Sequence, residues 1–195
     1  MVKSSDILGW MLDGDYDVID AAVAEVSDKD FIQVLEIGTL FGKSAVAFDE
    51  ALKDKPHNII TLDICLGWIG PTEEQLEGAV ITSDTRTLIE RCRCDADEQF
   101  KRIQQSIEGR NIEFRQCFWT KHFECDKTPD IVFYDGMHSY EETVDVLDCY
   151  SECPVIIIDD YIDRWNGVQR AVDEYLERTG RVGKSFDDSK MMLIL

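Results

Sequence analysis

The hydrophobic pattern of this chain alternates between two periods. Apolar residues spaced three and four apart predict helices, and short runs rich in β-branched residues predict strands. The predicted helices are Asp15–Val26, Ser44–Leu52, Ala96–Ile107, Tyr140–Tyr150 and Val168–Glu177. The predicted strands are Phe31–Ile37, Asn58–Ile64, Asn111–Cys117, Asp130–Tyr134 and Val155–Asp159. Segments 182–186 and 190–195, joined by the turn 187–189, predict a final hairpin of two further strands.

Strands that alternate with helices predict βαβ units, and such units form a sheet that helices cover on both faces. We therefore predict an α/β fold: a Rossmann-like, doubly wound, mostly parallel seven-stranded sheet with a C-terminal antiparallel hairpin. The chain has no internal repeat, so residues 1–195 are interpreted as a single domain. Segment 65–95 is long for a connection, which predicts a lid or a substrate wall. Ser139, with Glu142 three residues on, predicts a capping box.

A glycine-containing turn follows the first predicted strand, in the stretch LEIGTLFGKSAV. In sheets of this kind, ligands bind outside the carboxyl ends of the strands. Glycines let such a turn approach a ligand closely, and the N-terminus of the next helix offers free N–H groups to an anion. The candidate ligand-binding residues here are Glu36, Gly38, Thr39, Gly42 and Ser44. The glycine spacing is neither the dinucleotide-binding pattern nor a P-loop, so a turn needed only for packing is the alternative.

Asp63 ends the second predicted strand, in the stretch ITLDIC. An acidic side chain at this position often accepts both hydroxyls of a ribose. The alternative is a loop or capping aspartate. Together with the glycine turn before it, Asp63 favours a nucleoside-binding site.

Residues 155–161 read VIIIDDY, a buried strand that ends in two adjacent carboxylates, Asp159 and Asp160. Asp135 ends the preceding strand, and the ends of neighbouring strands lie about 5 Å apart. Three carboxylates so close together are unfavourable without protons or a cation. An all-oxygen cluster suits Mg²⁺, so all three are candidate metal ligands. The alternative is that each is a capping or solvated loop residue.

His138 lies three residues after Asp135. An imidazole with an ordinary pKa near 6.5 can take a proton from a hydroxyl group at neutral pH. His138 and Asp135 are therefore the candidate catalytic residues. A surface histidine, or one hydrogen-bonded within the packing, is the alternative.

Composition narrows the classes of function. The formal net charge of −20 argues against a nucleic-acid-binding role, because such proteins need a basic face. No apolar run is long enough for a transmembrane helix, and the first residues lack the apolar region of a signal peptide. The seven cysteines do not form a paired zinc-binding pattern and are interpreted as reduced thiols. We expect a cytoplasmic protein without membrane or nucleic-acid partners.

Four segments resemble class I S-adenosylmethionine-dependent methyltransferases: LEIGTLFGKSAV, ITLDIC, IVFYDGMHSYEE and VIIIDDY with the following GVQRAVDEY. The resemblance is strongest to the metal-dependent O-methyltransferases. These are the catechol O-methyltransferases, the macrolide and aminocoumarin sugar O-methyltransferases, and a group similar to cephalosporin hydroxylases. It covers roughly residues 31–64 and 111–195.

The resemblance implies a role for each candidate. Glu36 and Gly38 line the methionine part of S-adenosylmethionine, Ser44 meets its carboxylate, and Asp63 holds its ribose. Mg²⁺ is held by the three aspartates named above, and His138 stands where the catechol enzymes have a lysine as general base. The expected adenine contact after the third strand is missing, and Trp119 could stack on the ring instead, with a core tryptophan as the alternative.

The expected function is Mg²⁺-assisted methyl transfer to a hydroxyl of a small-molecule acceptor: a sugar, a phenol or a natural product. Trp68 and Trp165 flank the predicted mouth of the site as candidate acceptor contacts. The relatives suggest a homodimer. A metal-independent methyltransferase of the same fold and a non-catalytic interaction module are the alternatives. A nicotinamide dehydrogenase is disfavoured by the glycine spacing.

Overall fold

The secondary structure follows the alternation that the hydrophobic pattern predicts. The computed structural model describes residues 1–70, 82–125, 127–162 and 166–195. The strands are β1 (Ile32–Ile37), β2 (His57–Asp63), β3 (Ile112–Gln116), β4 (Ile131–Tyr134), β5 (Val155–Ile158), β6 (Gly183–Ser185) and β7 (Met192–Ile194). The helices are α1 (Asp13–Glu25), α2 (Lys43–Ala51), α3 (Ser83–Cys92), α4 (Ala96–Ile107), α5 (Tyr140–Cys149) and α6 (Asn166–Thr179), and Ser4–Asp6 forms a short 3₁₀ turn.

The described strands form one seven-stranded sheet in the order β3-β2-β1-β4-β5-β7-β6. The first five strands along the chain are mutually parallel, and β7 runs antiparallel to both of its neighbours, β5 and β6. Ile37, at the end of β1, pairs with Leu62 of β2 and with Tyr134 of β4. Tyr134 in turn pairs with Ile158 at the end of β5. Four neighbouring strands therefore end side by side, and this confirms the predicted fold.

The final hairpin brings a second part of the chain to the same edge. Met192 of β7 pairs with Ile158 at the end of β5. Because β7 is antiparallel, it begins at the edge where the parallel strands end. The residues just before Met192 therefore lie beside the residues that follow Ile158, although more than thirty positions separate them in the sequence.

Apolar side chains cover both faces of the sheet. Successive side chains of a strand point to opposite faces, and every residue of β1 is buried. Val34 packs with Phe48 of α2 in the core cluster on one face. Leu35 packs with Leu147 of α5 in the cluster on the other face. Burial on both faces explains why the strands read as continuous apolar runs rather than as an alternating pattern.

Two local features differ from the sequence-based expectation. Segment 65–95 contains helix α3, which the pattern did not predict, and residues 71–81 of that segment lie outside the described residues. Ser139 caps α5 by accepting the Glu142 N–H, as predicted. The carboxylate of Glu142 does not complete a capping box, because it accepts from Tyr134 Oη and from the Met137 N–H. In the described part of the chain, no helix has the length and apolar character to cross a bilayer.

Candidate functional site

A cavity of about 780 Å³ lies at the carboxyl edge of the parallel strands. Each of the turns that follow β1, β2, β4 and β5 contributes lining residues, as does the segment that precedes β7. Residues 8–12 and Leu66–Trp68 form a largely apolar wall beside this edge. The cavity is in the size range of small-molecule sites, which are mostly apolar with a few convergent polar groups.

Gly38 lets the turn after β1 pass directly against the turn after β4. Its φ of +96° is unfavourable for any other residue. A Cβ atom at this position would lie 2.7 Å from the carbonyl carbon of Asp135 and would overlap the carbonyl oxygen. Gly42, with φ of +84°, starts helix α2 and does not line the cavity. Of the predicted turn residues, Gly38, Thr39 and Ser44 line the cavity.

Asp63 lines the cavity and closes the glycine turn. Its Oδ2 accepts from the backbone N–H groups of Thr39 at 3.2 Å and Leu40 at 2.9 Å. Its Oδ1 accepts from the Cys65 N–H at 2.8 Å and from Gln99 Nε2 at 3.3 Å. The predicted ribose ligand therefore also fixes the turn in the protein alone. Its contact with a ribose stays a prediction.

Glu36 stands behind the cavity wall rather than in it. It is fully buried and does not line the cavity. Its two carboxyl oxygens accept from Ser44 Oγ and from Thr61 Oγ1. Burial raises the pKa of Glu36 to about 8, although both hydroxyl groups oppose that shift. Glu36 thus positions Ser44 directly, and Thr61 links it to Thr39, so any effect it has on a ligand acts through these hydroxyl groups.

The Glu36→Gln variant tests this burial. In the folded protein the pKa of Glu36 is about 8, whereas the ordinary pKa of a glutamate is 4.5. Between pH 4.5 and 8 the folded state therefore binds more protons than the unfolded state. Its stability should therefore fall as pH rises through that window, by up to about 1.4 kcal/mol per pH unit. We expect Glu36→Gln to flatten the dependence of the unfolding free energy on pH between pH 5 and 8, as measured by urea titration. The exposed control Glu108→Gln should leave it unchanged, and parallel curves for Glu36→Gln and wild type would contradict the assignment.

Lys190 makes the closest contacts with the acidic pair after β5. Its Nζ donates to Asp159 Oδ2 at 2.5 Å and to Asp160 Oδ1 at 2.9 Å. Only 16% of the Lys190 side chain and 2% of the Asp159 side chain are exposed. Burial lowers the pKa of Lys190, but the charges of Asp159, Asp135 and Asp160 outweigh burial and raise it well above its ordinary value. The ammonium group is therefore charged at neutral pH.

His138 bridges the two acidic turns. Its Nε2 lies 2.9 Å from Asp135 Oδ1, and its Nδ1 lies 3.3 Å from Asp160 Oδ2. Burial lowers the pKa of His138, but the hydrogen bond to Asp135 and the charges of both aspartates raise it above its ordinary value. Both ring nitrogens face carboxylates, so the protonated imidazolium is favoured. His138 and Asp160 also have positive φ values, +55° and +54°, and such strain clusters at functional sites.

The pKa values of Asp135 and Asp159 shift in opposite directions, although each residue follows its own strand directly. Burial raises the pKa of Asp135, but the hydrogen bond from His138 and the charge of Lys190 more than offset it and lower the pKa. Burial and the charge of Asp135 raise the pKa of Asp159 well above its ordinary value. Because its pKa is lowered from an already acidic value, Asp135 is ionised at neutral pH. Its side chain is 34% exposed and it faces the cavity.

The turn between β4 and α5 holds Asp135 and His138 in place. The hydroxyl group of Tyr134 donates to Glu142 Oε2 at 2.6 Å and accepts from the His138 N–H at 3.2 Å. A Cβ atom on Gly136 would lie 2.6 Å from Tyr134 Cε2, so only glycine fits there. The sequence YDGMHSYEE therefore folds into a turn that its own first and last residues, Tyr134 and Glu142, fix.

The three carboxylates predicted as metal ligands, Asp135, Asp159 and Asp160, all line the cavity. Among the described residues, no group of three or more His, Cys, Asp or Glu side chains is placed to hold a metal ion. Their close cationic partners are instead His138 and Lys190. The sequence reasoning missed Lys190. The predicted hairpin contained the signal, because an antiparallel last strand must begin at the edge where the parallel strands end.

Trp119 does not line the cavity, which favours the alternative of a core tryptophan over stacking on an adenine ring. It is 5% exposed and belongs to the core cluster that contains Leu35 and Val132. Its Nε1 donates to Tyr150 Oη at 3.2 Å, which satisfies the buried N–H.

The sequence reasoning also passed over Trp10, whose ring centroid lies 4.8 Å from that of Trp68. Both tryptophans line the cavity. Trp165, the other tryptophan expected near the mouth, lies outside the described residues.

Comparison with known proteins gives matches among solved structures only. No protein-family model and no curated protein sequence matches the chain. The O-methyltransferase NovP superposes on 92% of this chain and 78% of its own, with a TM-score of 0.62 and 17% identity. The O-methyltransferase TomG of Streptomyces achromogenes, involved in tomaymycin synthesis and solved with S-adenosylmethionine, superposes on 93% of this chain and 78% of its own, with a TM-score of 0.52 and 12% identity.

The methyltransferase PaMTH1 of Podospora anserina, solved with S-adenosylhomocysteine, superposes on 92% of this chain and 76% of its own, with a TM-score of 0.52 and 15% identity. At such low identity, the likeness establishes the fold. The parallel sheet with its antiparallel final strand and the likeness to these three structures lead to one conclusion: this chain has the fold that these three methyltransferases share.

Proposed function

We propose that this protein transfers the methyl group of S-adenosylmethionine to a hydroxyl group of a small molecule. The observation that carries the proposal is one cavity that is lined both by residues suited to the cofactor and by residues suited to the methyl acceptor. The glycine turn and Asp63 lie at one part of its wall, and the cluster of Asp135, His138 and Lys190 lies at another. Two of the three solved structures named above are O-methyltransferases, and this supports the reaction class.

The residues near the glycine turn fit a nucleoside that carries an amino acid. The N-terminus of α2, with Lys43 and Ser44 in its first turn, lines the cavity and suits a carboxylate. Burial lowers the pKa of Lys43, which is the shift that a nearby carboxylate would reverse. Asp63 suits two ribose hydroxyls. Its 3.3 Å contact with Gln99 is the easiest to replace, because the same Gln99 amide nitrogen also donates to the Leu40 carbonyl oxygen.

When bound, S-adenosylmethionine supplies an electrophilic methyl group: the acceptor oxygen bonds to this carbon, the carbon–sulfur bond breaks, and its electron pair remains on sulfur. The hydroxyl proton must pass to the protein. Asp135 is the best acceptor for it, because it is ionised and partly exposed to the cavity. Most of the acceleration would come from holding the two reactants in line.

The proposed role of His138 differs from the one that the resemblance implies. Both of its ring nitrogens face carboxylates, so it has no free lone pair for an acceptor proton. We assign it a positioning role: it holds Asp135 and Asp160 at a fixed distance. The proposal assigns no step to Mg²⁺, because an ammonium group already contacts two of the three expected ligands.

Calorimetric titration with S-adenosylhomocysteine tests the cofactor half of the proposal without knowledge of the acceptor. We expect wild type to bind, and Asp63→Ala to bind about 10- to 100-fold more weakly, because hydrogen bonds to a charged group are worth about 1.5–3 kcal/mol. Asp54→Ala is the matched control, since Asp54 is an exposed acid in the turn before β2. It should bind as wild type does.

Two outcomes would contradict the proposal. If wild type does not bind S-adenosylhomocysteine, an interaction module on this fold becomes the better interpretation. If Asp63→Ala binds as tightly as wild type while its melting temperature is unchanged, the ribose assignment is wrong. A melting curve for each variant is needed because Asp63 also accepts from the Thr39 and Leu40 N–H groups.

A further inference from the structure

We infer that the ammonium group of Lys190 takes the place of a divalent metal ion in this protein, so that its carboxylate cluster is organised by a cation of the chain itself. The contacts are direct: Nζ lies 2.5 Å from Asp159 Oδ2 and 2.9 Å from Asp160 Oδ1. These are two of the three side chains that the family resemblance assigns to Mg²⁺. The charge that the acids require is therefore already present.

Lys190 is held in this position by hydrogen bonds to both of its own backbone groups. Its carbonyl oxygen accepts from the Tyr161 N–H at 2.8 Å, and its own N–H donates to Asp15 Oδ1 at 3.3 Å. Asp15 is fully buried and also accepts from Ser189 Oγ at 2.7 Å. A Cβ atom on Gly14 would lie 2.7 Å from the backbone of Asp188, so helix α1 packs directly on this turn. The ammonium group therefore arrives on a rigid support, not on a free surface side chain.

The carboxylates do not fit a divalent ion while Lys190 is in place. Mg²⁺ requires ligand oxygens at about 2.0–2.1 Å in octahedral geometry. An ion bound to the same oxygens of Asp159 and Asp160 would lie next to Nζ, and two cations would then share one acidic pair. One feature favours a further ligand beside Lys190, such as a metal ion. Asp159 Oδ1 is buried and has no hydrogen-bond partner among the described residues. That oxygen belongs to the carboxyl group whose other oxygen Lys190 already binds.

The ammonium group can also supply the electrostatic part of the work of a metal ion, a role that rests on the proposed methyl transfer. Two of its three N–H bonds are directed to Asp159 and Asp160, and Lys190 lines the cavity. The third N–H has no acceptor among the described residues, and we assign it to the oxygen of the methyl acceptor. It would stabilise the negative charge that develops on that oxygen as its proton leaves for Asp135.

Titration with Mn²⁺, followed by electron paramagnetic resonance, tests the inference without any methyl acceptor. We expect wild type to show no specific Mn²⁺ binding, with or without S-adenosylhomocysteine. Lys190→Met should show specific Mn²⁺ binding, about tenfold or more tighter than the non-specific binding of wild type, because it leaves three carboxyl groups without their ammonium partner. Lys184→Met is the matched control, since Lys184 lies on β6 and pairs with Glu25 at the surface. It should behave as wild type does.

The opposite results would overturn the inference: specific Mn²⁺ binding by wild type that Lys190→Met leaves unchanged or weakens. If Lys190→Met does not fold, Lys190→Arg keeps a cation at the site and should exclude Mn²⁺ as wild type does. Specific Mn²⁺ binding by Lys190→Arg would count against the inference, and so would specific Mn²⁺ binding by wild type. Binding of S-adenosylhomocysteine to the same samples separates this result from the proposed function, because either can fail while the other holds.

Discussion

Gly38→Ala should destabilise the protein by on the order of 4 kcal/mol, because the substitution combines a steric clash with an unfavourable backbone conformation. A Cβ atom would overlap the carbonyl oxygen of Asp135, and backbone atoms can move away only by separating β1 from β4. The φ of +96° adds to the cost. Chemical denaturation monitored by circular dichroism measures the change. A fall in soluble yield would be the qualitative sign.

Gly109→Ala is the matched control for this prediction. Gly109 also has a positive φ, +72°, but beyond its two chain neighbours no atom of the described residues lies within 4 Å of the position that a Cβ would occupy. Alanine should therefore cost only about 1–2 kcal/mol there, the cost of the left-handed conformation alone. The difference between the two variants isolates the close approach of the turns after β1 and β4. Equal losses would mean that this approach is not required for stability.

Asp135→Asn should lower kcat for methyl transfer by about 10²- to 10⁴-fold, the usual cost of losing a positioned proton acceptor. The amide keeps the shape of the side chain and can still accept a hydrogen bond from His138, but it cannot take a proton from the acceptor hydroxyl. The measurement is transfer of a labelled methyl group from S-adenosylmethionine to an acceptor selected from a panel of phenols and vicinal diols.

Two further measurements make this result specific. Affinity for S-adenosylhomocysteine should change little, since Asp135 is assigned to the acceptor side of the cavity. Asp148→Asn, at an exposed position on α5 where the side chain pairs with Arg178, should leave kcat unchanged. A fall in kcat of less than about tenfold for Asp135→Asn would move the role of proton acceptor to another group.

Sequence reasoning located most of the candidate site because the site follows from topology. Gly38, Asp135 and Asp159 each come directly after a strand that the apolar pattern identifies, and Asp63 is the last residue of another. Parallel neighbours end at one edge, so residues far apart in the sequence were expected to meet, and the register of the sheet brings them there. The composition of the strands indicated that they are parallel neighbours, because strands buried on both faces of a parallel sheet read as continuous apolar runs.

Side-chain roles were harder to predict, because they depend on partners that no local pattern specifies. Trp119 was a candidate for the adenine site, yet its indole packs in the core and donates to Tyr150. Glu36 was expected at the cavity surface, but the hydroxyl groups of Ser44 and Thr61 hold it behind the wall. Helix α3 was missed within segment 65–95, where charged and polar residues obscure the helical period.

The sequence by itself determined the class of fold, the order of its strands and of every described helix except α3, and the edge at which a ligand would bind. These follow from the period of apolar residues and from the rule that parallel strands end together. Only the tertiary structure decided which cation meets the acids. Lys190 reaches Asp159 and Asp160 because β7 is antiparallel and because Asp15 and Gly14 fix the turn before it. A contact of this kind depends on distances between segments that are remote in the chain, and the local sequence of neither segment specifies it.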